Sequence, residues 1–94
     1  MDYFESSNLY FVASAVSYGS IVEETFKKTG GRIFYSLSNC PERVYTLIND
    51  KVDQEQIRDF EHLFNLFNSR CLMLPPQYPN SLKDMKALLY DRPQ

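Results

Sequence analysis

The chain has no tryptophan, one histidine, two cysteines and three glycines in its 94 residues. Each shortage removes a reading. Two cysteines, Cys40 and Cys71, are too few for a disulfide framework or for a metal site of recognised spacing. His62 is the only histidine, so a reactive thiol would have a single candidate base. With so little glycine there is no phosphate-binding loop and no Gly-x-Ser-x-Gly, and Cys-x-x-Cys and His-Glu-x-x-His are also missing. Charge of one sign does not dominate: ten basic against twelve acidic residues leave −2, too little to recruit nucleic acid or an anionic membrane by a global field. No apolar run approaches the roughly 20 residues of a membrane span. The start, Met1-Asp2-Tyr3-Phe4-Glu5, is acidic where a signal peptide would be positive, so the expected location is the cytoplasm.

What is present is apolar and aromatic. Hydrophobic residues make up 44% and aromatics 15%, with seven Tyr and seven Phe, which excludes intrinsic disorder and gives one domain enough core to fold. The strongest periodicity lies over 53–74. There Ile57, Phe60, Leu63, Phe64, Phe67, Cys71 and Leu74 recur at steps of three and four, as on one face of a helix. Asp53 with Gln56 three places on predicts the N-terminus of that long helix, and Pro75-Pro76 its end. Cys71 then falls on its apolar face, as a small buried hydrophobe.

A first helix is predicted over 8–18, capped from Ser6-Ser7-Asn8, striped by Leu9, Val12, Ala13 and Val16, and stopped by Gly19. A hairpin follows over 21–28 and 32–37 around Thr29-Gly30-Gly31. A two-residue Gly30-Gly31 loop pairs Lys28 with Ile33, Phe26 with Tyr35 and Glu24 with Leu37. That register sends Val22, Phe26, Ile33, Tyr35 and Leu37 to the core, with Glu24 a misfit among them. Pro41, preceded by Asn39 or Cys40 as cap, predicts a third helix over 41–50 striped by Val44, Leu47 and Ile48, and Cys40 at its start would feel the helix dipole. Asn49-Asp50-Lys51 breaks it, with Val52 in a short link. Residues 75–80 read as an extended proline-rich link, and Ser81 with Asp84 caps a last helix over 82–90 carrying Leu82, Met85, Leu88 and Leu89. The expected architecture is a two-layer α+β domain in the order α-β-β-α-α, with a globular unit over 1–74 and a further short helix in 75–94 packed on it.

Asn8-Leu9-Tyr10 with Ala13 and Gly19 is followed by Gly31-Arg32-Ile33-Phe34-Tyr35, which runs into Pro41-Glu42. Val52-Asp53 then precedes an amphipathic helix. This order resembles a family of short bacterial and phage proteins known only as a domain of unknown function. The resemblance covers about residues 6–70, rests on pattern and includes no catalytic motif. It implies a mobile-element setting and assigns no site residue. The chain departs from that family in its phenylalanine-rich long helix and in its proline-linked extension.

Catalytic candidates are few. His62 lies at the edge of the apolar face beside Glu61, where a partly covered structural histidine is the commoner outcome. Glu23-Glu24, Asp59 and Glu61 read as carboxylates of solvated faces. No cofactor or metal is implied and no enzymatic activity is expected. Two binding readings remain. Lys27, Lys28 and Arg32 surround the hairpin turn, with Phe34 on the outer face beside Lys27, a pattern that can contact phosphate and stack a base. Against it, charged residues also protect strand edges. The second is a surplus of aromatic and apolar surface, at Phe60, Phe67, Leu66, Tyr78 and Tyr90, suited to a protein interface. The favoured expectation is a non-catalytic interaction protein, a phage-type inhibitor of a host or CRISPR-type defence system, that binds a host protein or a second copy of itself. The alternative is a small nucleic-acid-binding module using the basic hairpin.

Overall fold

The helix at the centre of the molecule is the element whose two ends the sequence reads correctly. In the computed structural model, which describes residues 3–28 and 30–90 without the side chains of Leu89 and Tyr90, α1 spans Leu9–Ser17. The Asn8 side chain caps it, accepting the Tyr10 and Phe11 N–H groups at 3.1 Å each. Gly19, at φ +111°, closes the other end: its N–H reaches Val16 C=O at 2.9 Å, and the Ser20 N–H reaches Ala15 C=O at 3.0 Å. Phe11, Val12, Ala13 and Ala15 are completely buried, so α1 is covered on nearly every side.

A three-stranded antiparallel sheet lies against it, in the order β1-β3-β2, from β1 (Phe4–Ser6), β2 (Ile21–Lys27) and β3 (Ile33–Ser38). The strand at Phe4–Ser6 is not signalled by the sequence, being only three residues long. The β2–β3 hairpin forms, but its register is one residue off the expected one. The Lys28 N–H donates to Arg32 C=O at 3.0 Å, so the ladder closes earlier than a two-residue glycine loop would require. Thr29 itself lies outside the described residues. Phe26 therefore faces Phe34 on the outer side, and Thr25 takes the place opposite Tyr35. A bulge between Val22 and Glu24 then shifts the register once more and sets Val22 opposite Leu37, where Glu24 was expected, while Glu24 sits opposite Ser36 on the outer side and is no longer a misfit. Tyr35 and Leu37 are buried, Val22 and Ile33 pack at the core margin, and Phe26 is excluded from the core.

The third helix expected over 41–50 is a strand. β4 (Arg43–Ile48) pairs with β5 (Lys51–Gln56) in a second hairpin, with Val44 opposite Glu55 and Ile48 opposite Lys51. Val, Tyr, Thr and Ile crowd this stretch, and β-branched and aromatic side chains fit a pleated surface better than a helix. Asn49 and Asp50 both take positive φ, +52° and +64°, forming the two-residue turn that joins such strands. The chain returns once more, as Leu72 bridges Thr46 while the Leu47 N–H meets Cys71 C=O at 2.8 Å.

Pairing of 51–56 with β4 also shortens the expected long helix. Asp53 is not a cap and Gln56 closes no box. α2 spans Phe60–Asn68, and Asp59 caps it by accepting the His62 N–H at 2.8 Å. It stops at Ser69 and Arg70 and not at the prolines. Arg70 occupies the left-handed position, φ +63°, and the Cys71 N–H reaches back to Leu66 C=O at 3.2 Å. Cys71 is half-buried and lies beyond the helix. The aromatic face of α2 packs as the periodicity implies, on partners the sequence does not name. Phe60 stacks on Phe4 at 5.6 Å, Phe64 meets Phe11 edge-on at 4.9 Å, and Phe67 meets Phe11 at 5.6 Å.

The last helix, α3 (Tyr78–Tyr90), begins four residues before the expected start, so Ser81 is a buried residue within it and not its cap. Pro79 is tolerated in the first turn, where no intrahelical N–H bond is lost. α3 runs alongside α1, with Met85 and Ser81 buried. The side chains of Leu89 and Tyr90, and residues 91–94, fall outside the description. The chain is thus α+β, with three helices and two small antiparallel sheets among the described residues, and the order is β-α-β-β-β-β-α-α in place of α-β-β-α-α-α.

Candidate protein-binding face

Strand alternation decides what the second hairpin offers to solvent. Val44 and Thr46 turn inwards and are buried, so Tyr45 and Leu47 turn outwards with Val52 beside them. Met73 joins this outer face next to Tyr45, because its N–H donates to Tyr45 C=O at 2.9 Å. The result is an apolar surface left open among the described residues: Tyr45 is 47% exposed, Leu47 44%, Val52 51%, Met73 38% and Leu74 42%. Ile48, at the tip of the hairpin, is 50% exposed on the opposite side.

Beside this surface runs an open groove of about 510 Å³, walled by Tyr18, Pro75, Pro76 and Gln77 and floored by Tyr45, Val52 and Met73. Tyr18 creates it. In a continuous ladder the Tyr45 N–H would bond directly to Met73 C=O. Here the Tyr18 hydroxyl stands between them, accepting from the Tyr45 N–H at 3.3 Å and donating to Met73 C=O in a short hydrogen bond. The strand is wedged apart at that point, and the chain leaves the sheet towards the prolines. Burial pushes the Tyr18 phenol above its ordinary pKa, opposed by the smaller effect of its Tyr45 backbone bond. Among the described residues no charged side chain lines the groove.

The basic hairpin is only partly assembled. Lys28 sits over Phe34, 4.5 Å from the ring centroid, and 5.6 Å from the centre of Phe26. Its ammonium is also 3.0 Å from Glu5, an ion pair the sequence reading did not anticipate because β1 was not foreseen. Lys27 lies on the other side of the sheet by alternation, and Arg32 is exposed at the turn. Among the expected interface residues, Phe60 is buried, whereas Phe67, Leu66 and Tyr78 are half-buried against the core. Exposed apolar residues lie elsewhere, among them Tyr45, Leu47, Ile48 and Val52 on the second hairpin, whose first strand was read as a helix. The alternation of Arg43-Val44-Tyr45-Thr46-Leu47, followed by Asn-Asp, was the signal that could have located them.

Cys40 and His62 are not paired with one another: the Cys40 thiol donates to Pro41 C=O at 3.7 Å. Cys40 precedes a strand, and burial, followed by the Asp59 charge, raises its thiol pKa. His62 is locked into the fold. Its Nδ1 accepts the Arg58 N–H at 3.2 Å, and its Nε2 lies 2.7 Å from Glu55, with the side chain 16% exposed. Among the described residues no three His, Cys, Asp or Glu side chains gather in a way that could hold a metal ion, and no helix is long and apolar enough to cross a membrane. No family model matches the chain, and no curated protein or solved structure is significantly similar to it.

Proposed function

We propose that this chain is a non-catalytic protein-binding module that docks through the outer face of the β4–β5 hairpin. The observation that carries the reading is the uncovered set Tyr45, Leu47, Val52, Met73 and Leu74, contiguous across three extended segments and bordered by a neutral groove. Other large apolar residues that are exposed, such as Tyr10 and Ile21, lie apart from it in the chain, whereas a contiguous apolar face of this kind is the usual mark of a docking surface. Tyr45 and Met73 supply large, adaptable contact area. The engaged state of both His62 nitrogens and the raised Cys40 pKa support a role without catalysis.

The resemblance over residues 6–70 supports a phage or mobile-element setting in the cytoplasm, with a host protein, such as a component of a defence system, as the partner that the module inhibits. A second reading, nucleic-acid binding through Lys28 and Phe34, is favoured by their 4.5 Å approach and weakened by Glu5 at 3.0 Å from the same ammonium. A two-layer arrangement is part of the same reading, supported by the packing of α1 and α2 on the Phe4 side of the three-stranded sheet.

The test is capture from a bacterial lysate with the whole chain and with Leu47→Asp and Val52→Asp. A partner held by the parent chain and released by both variants supports the proposal. Retention by both variants, with circular dichroism unchanged, overturns it.

A further inference from the structure

The backbone of β4 is engaged on both sides, whereas that of β5 is engaged on one. The Leu47 N–H donates to Cys71 C=O and the Tyr45 C=O accepts from the Met73 N–H, so the odd-numbered residues of β4 face the returning chain. Its even-numbered residues therefore face β5, and their partners Lys51, Asp53 and Glu55 face back. The N–H and C=O groups of Val52, Gln54 and Gln56 point away from the sheet, and among the described residues no strand pairs with that edge. Residues 51–54 and Gln56 are exposed along it.

Resting on the protein-binding reading above, we propose that this edge takes up an extended peptide segment of alternating basic and apolar residues as an added strand. Main-chain bonds to Val52 and Gln54 would hold it, and side-chain chemistry would select it. On one side of the edge stands the exposed carboxylate of Asp53, which calls for Lys or Arg opposite it, while Glu55 beyond it is held by His62. On the other side Val52 continues into Leu47 and Tyr45, which call for apolar residues.

A second copy of this chain fits the edge poorly. In an antiparallel pair of β5 strands the outward-pointing residues must face each other. One register sets Asp53 against Asp53, and the next sets Asp53 against Glu55 twice. Like charges directly opposite destabilise a sheet pair. The first of these registers also sets Lys51 against Glu55, but Glu55 is already held by His62 at 2.7 Å. A shorter overlap that puts Lys51 opposite Asp53 runs into the left-handed turn at Asn49 and Asp50. The charges that protect the edge from its own copy are those that a basic strand would complement.

The experiment uses fluorescence polarisation of the whole chain with a blocked, labelled peptide of alternating Lys and Val at low salt. Two peptides serve as controls: alternating Glu and Val, and the Lys–Val peptide N-methylated at alternate residues. The expected result is binding about tenfold or more tighter for the Lys–Val peptide than for either control, with the charge preference reversed by Asp53→Lys. Equal binding of the N-methylated peptide would show charge attraction without strand pairing and overturns the proposal. So does indifference to Asp53→Lys. The lysate capture separates the two readings. If Asp53→Lys keeps a partner that Leu47→Asp and Val52→Asp release, the face is used without the edge and only this inference fails. Retention by the face variants removes both.

Discussion

The molecule contains two hairpins of nearly equal length that have been put to opposite uses. β2–β3 is built into the interior: β3 is the middle strand of its sheet, Tyr35 and Leu37 are buried, and even its outward Ser36 and Ser38 are covered. β4–β5 is anchored by one row alone, Val44 and Thr46, and leaves the other row open. Composition sets part of the difference, since β5 has Val52 as its one apolar residue whereas β2 and β3 carry aromatic and β-branched residues. Neighbours set the rest. α1, α2 and β1 converge on the first hairpin, whereas the second meets the short return at Leu72 and single side chains, Tyr18 and His62. A strand pair with one face uncovered cannot add much to stability through that face, and what it shows to solvent is available for recognition.

Mutations can break or sharpen this contrast. The largest loss is expected where the first region is anchored. Phe11→Ala, at a fully buried ring against Phe4, Phe64 and Phe67, should cost about 3–5 kcal/mol in denaturant melts. Phe64→Ala should cost less, because Phe64 is half-buried, with its ring against Phe4 and Phe11. A loss from Phe64→Ala equal to that of Phe11→Ala would put the centre of the core nearer α2.

Tyr18→Phe tests the wedge that shapes the groove. It leaves the Tyr45 N–H and Met73 C=O without their bridge, at a cost of about 1–3 kcal/mol. The same residue sets a pH effect. Its phenol pKa is raised in the folded chain, so the neutral form is preferred there; this stability is complete below the ordinary value of about 10 and declines as pH rises through the folded value. Melts between neutral and strongly alkaline pH should show a decline that is shallower in Tyr18→Phe. Equal slopes would place the phenol in water.

Smaller effects of opposite sign are expected at the left-handed positions. Arg70→Gly and Asp50→Gly should each stabilise by up to about 1 kcal/mol, because glycine has no Cβ penalty at positive φ. Smallest of all, Leu47→Ser on the open row should change stability by within about 0.5 kcal/mol, whereas Val44→Ala on the closed row should cost clearly more. A large loss from Leu47→Ser would mean that the outer face is a second core surface and not a docking face.

The sequence by itself determined the elements whose signals are local. Asn8 and Gly19 delimit α1 because a capping side chain and a left-handed glycine act on the nearest turn. The periodic phenylalanines of 60–67 specify a helix and its apolar face whatever lies opposite. The first hairpin was legible from its glycines, although a one-residue shift of register, which only the finished sheet fixes, moved Phe26 from core to outer face and carried the expected basic and aromatic site with it. What the tertiary structure alone decided was the fate of 43–56. Asp53-Gln54-Glu55-Gln56 has good helical propensity, but propensity differences of a few tenths of a kcal/mol per residue yield to strand pairing with β4 and burial of Val44 against the core. The open face therefore lay hidden in a stretch whose local pattern fits a helix, because exposure is a property of what packs against a residue and no window of sequence contains its neighbours.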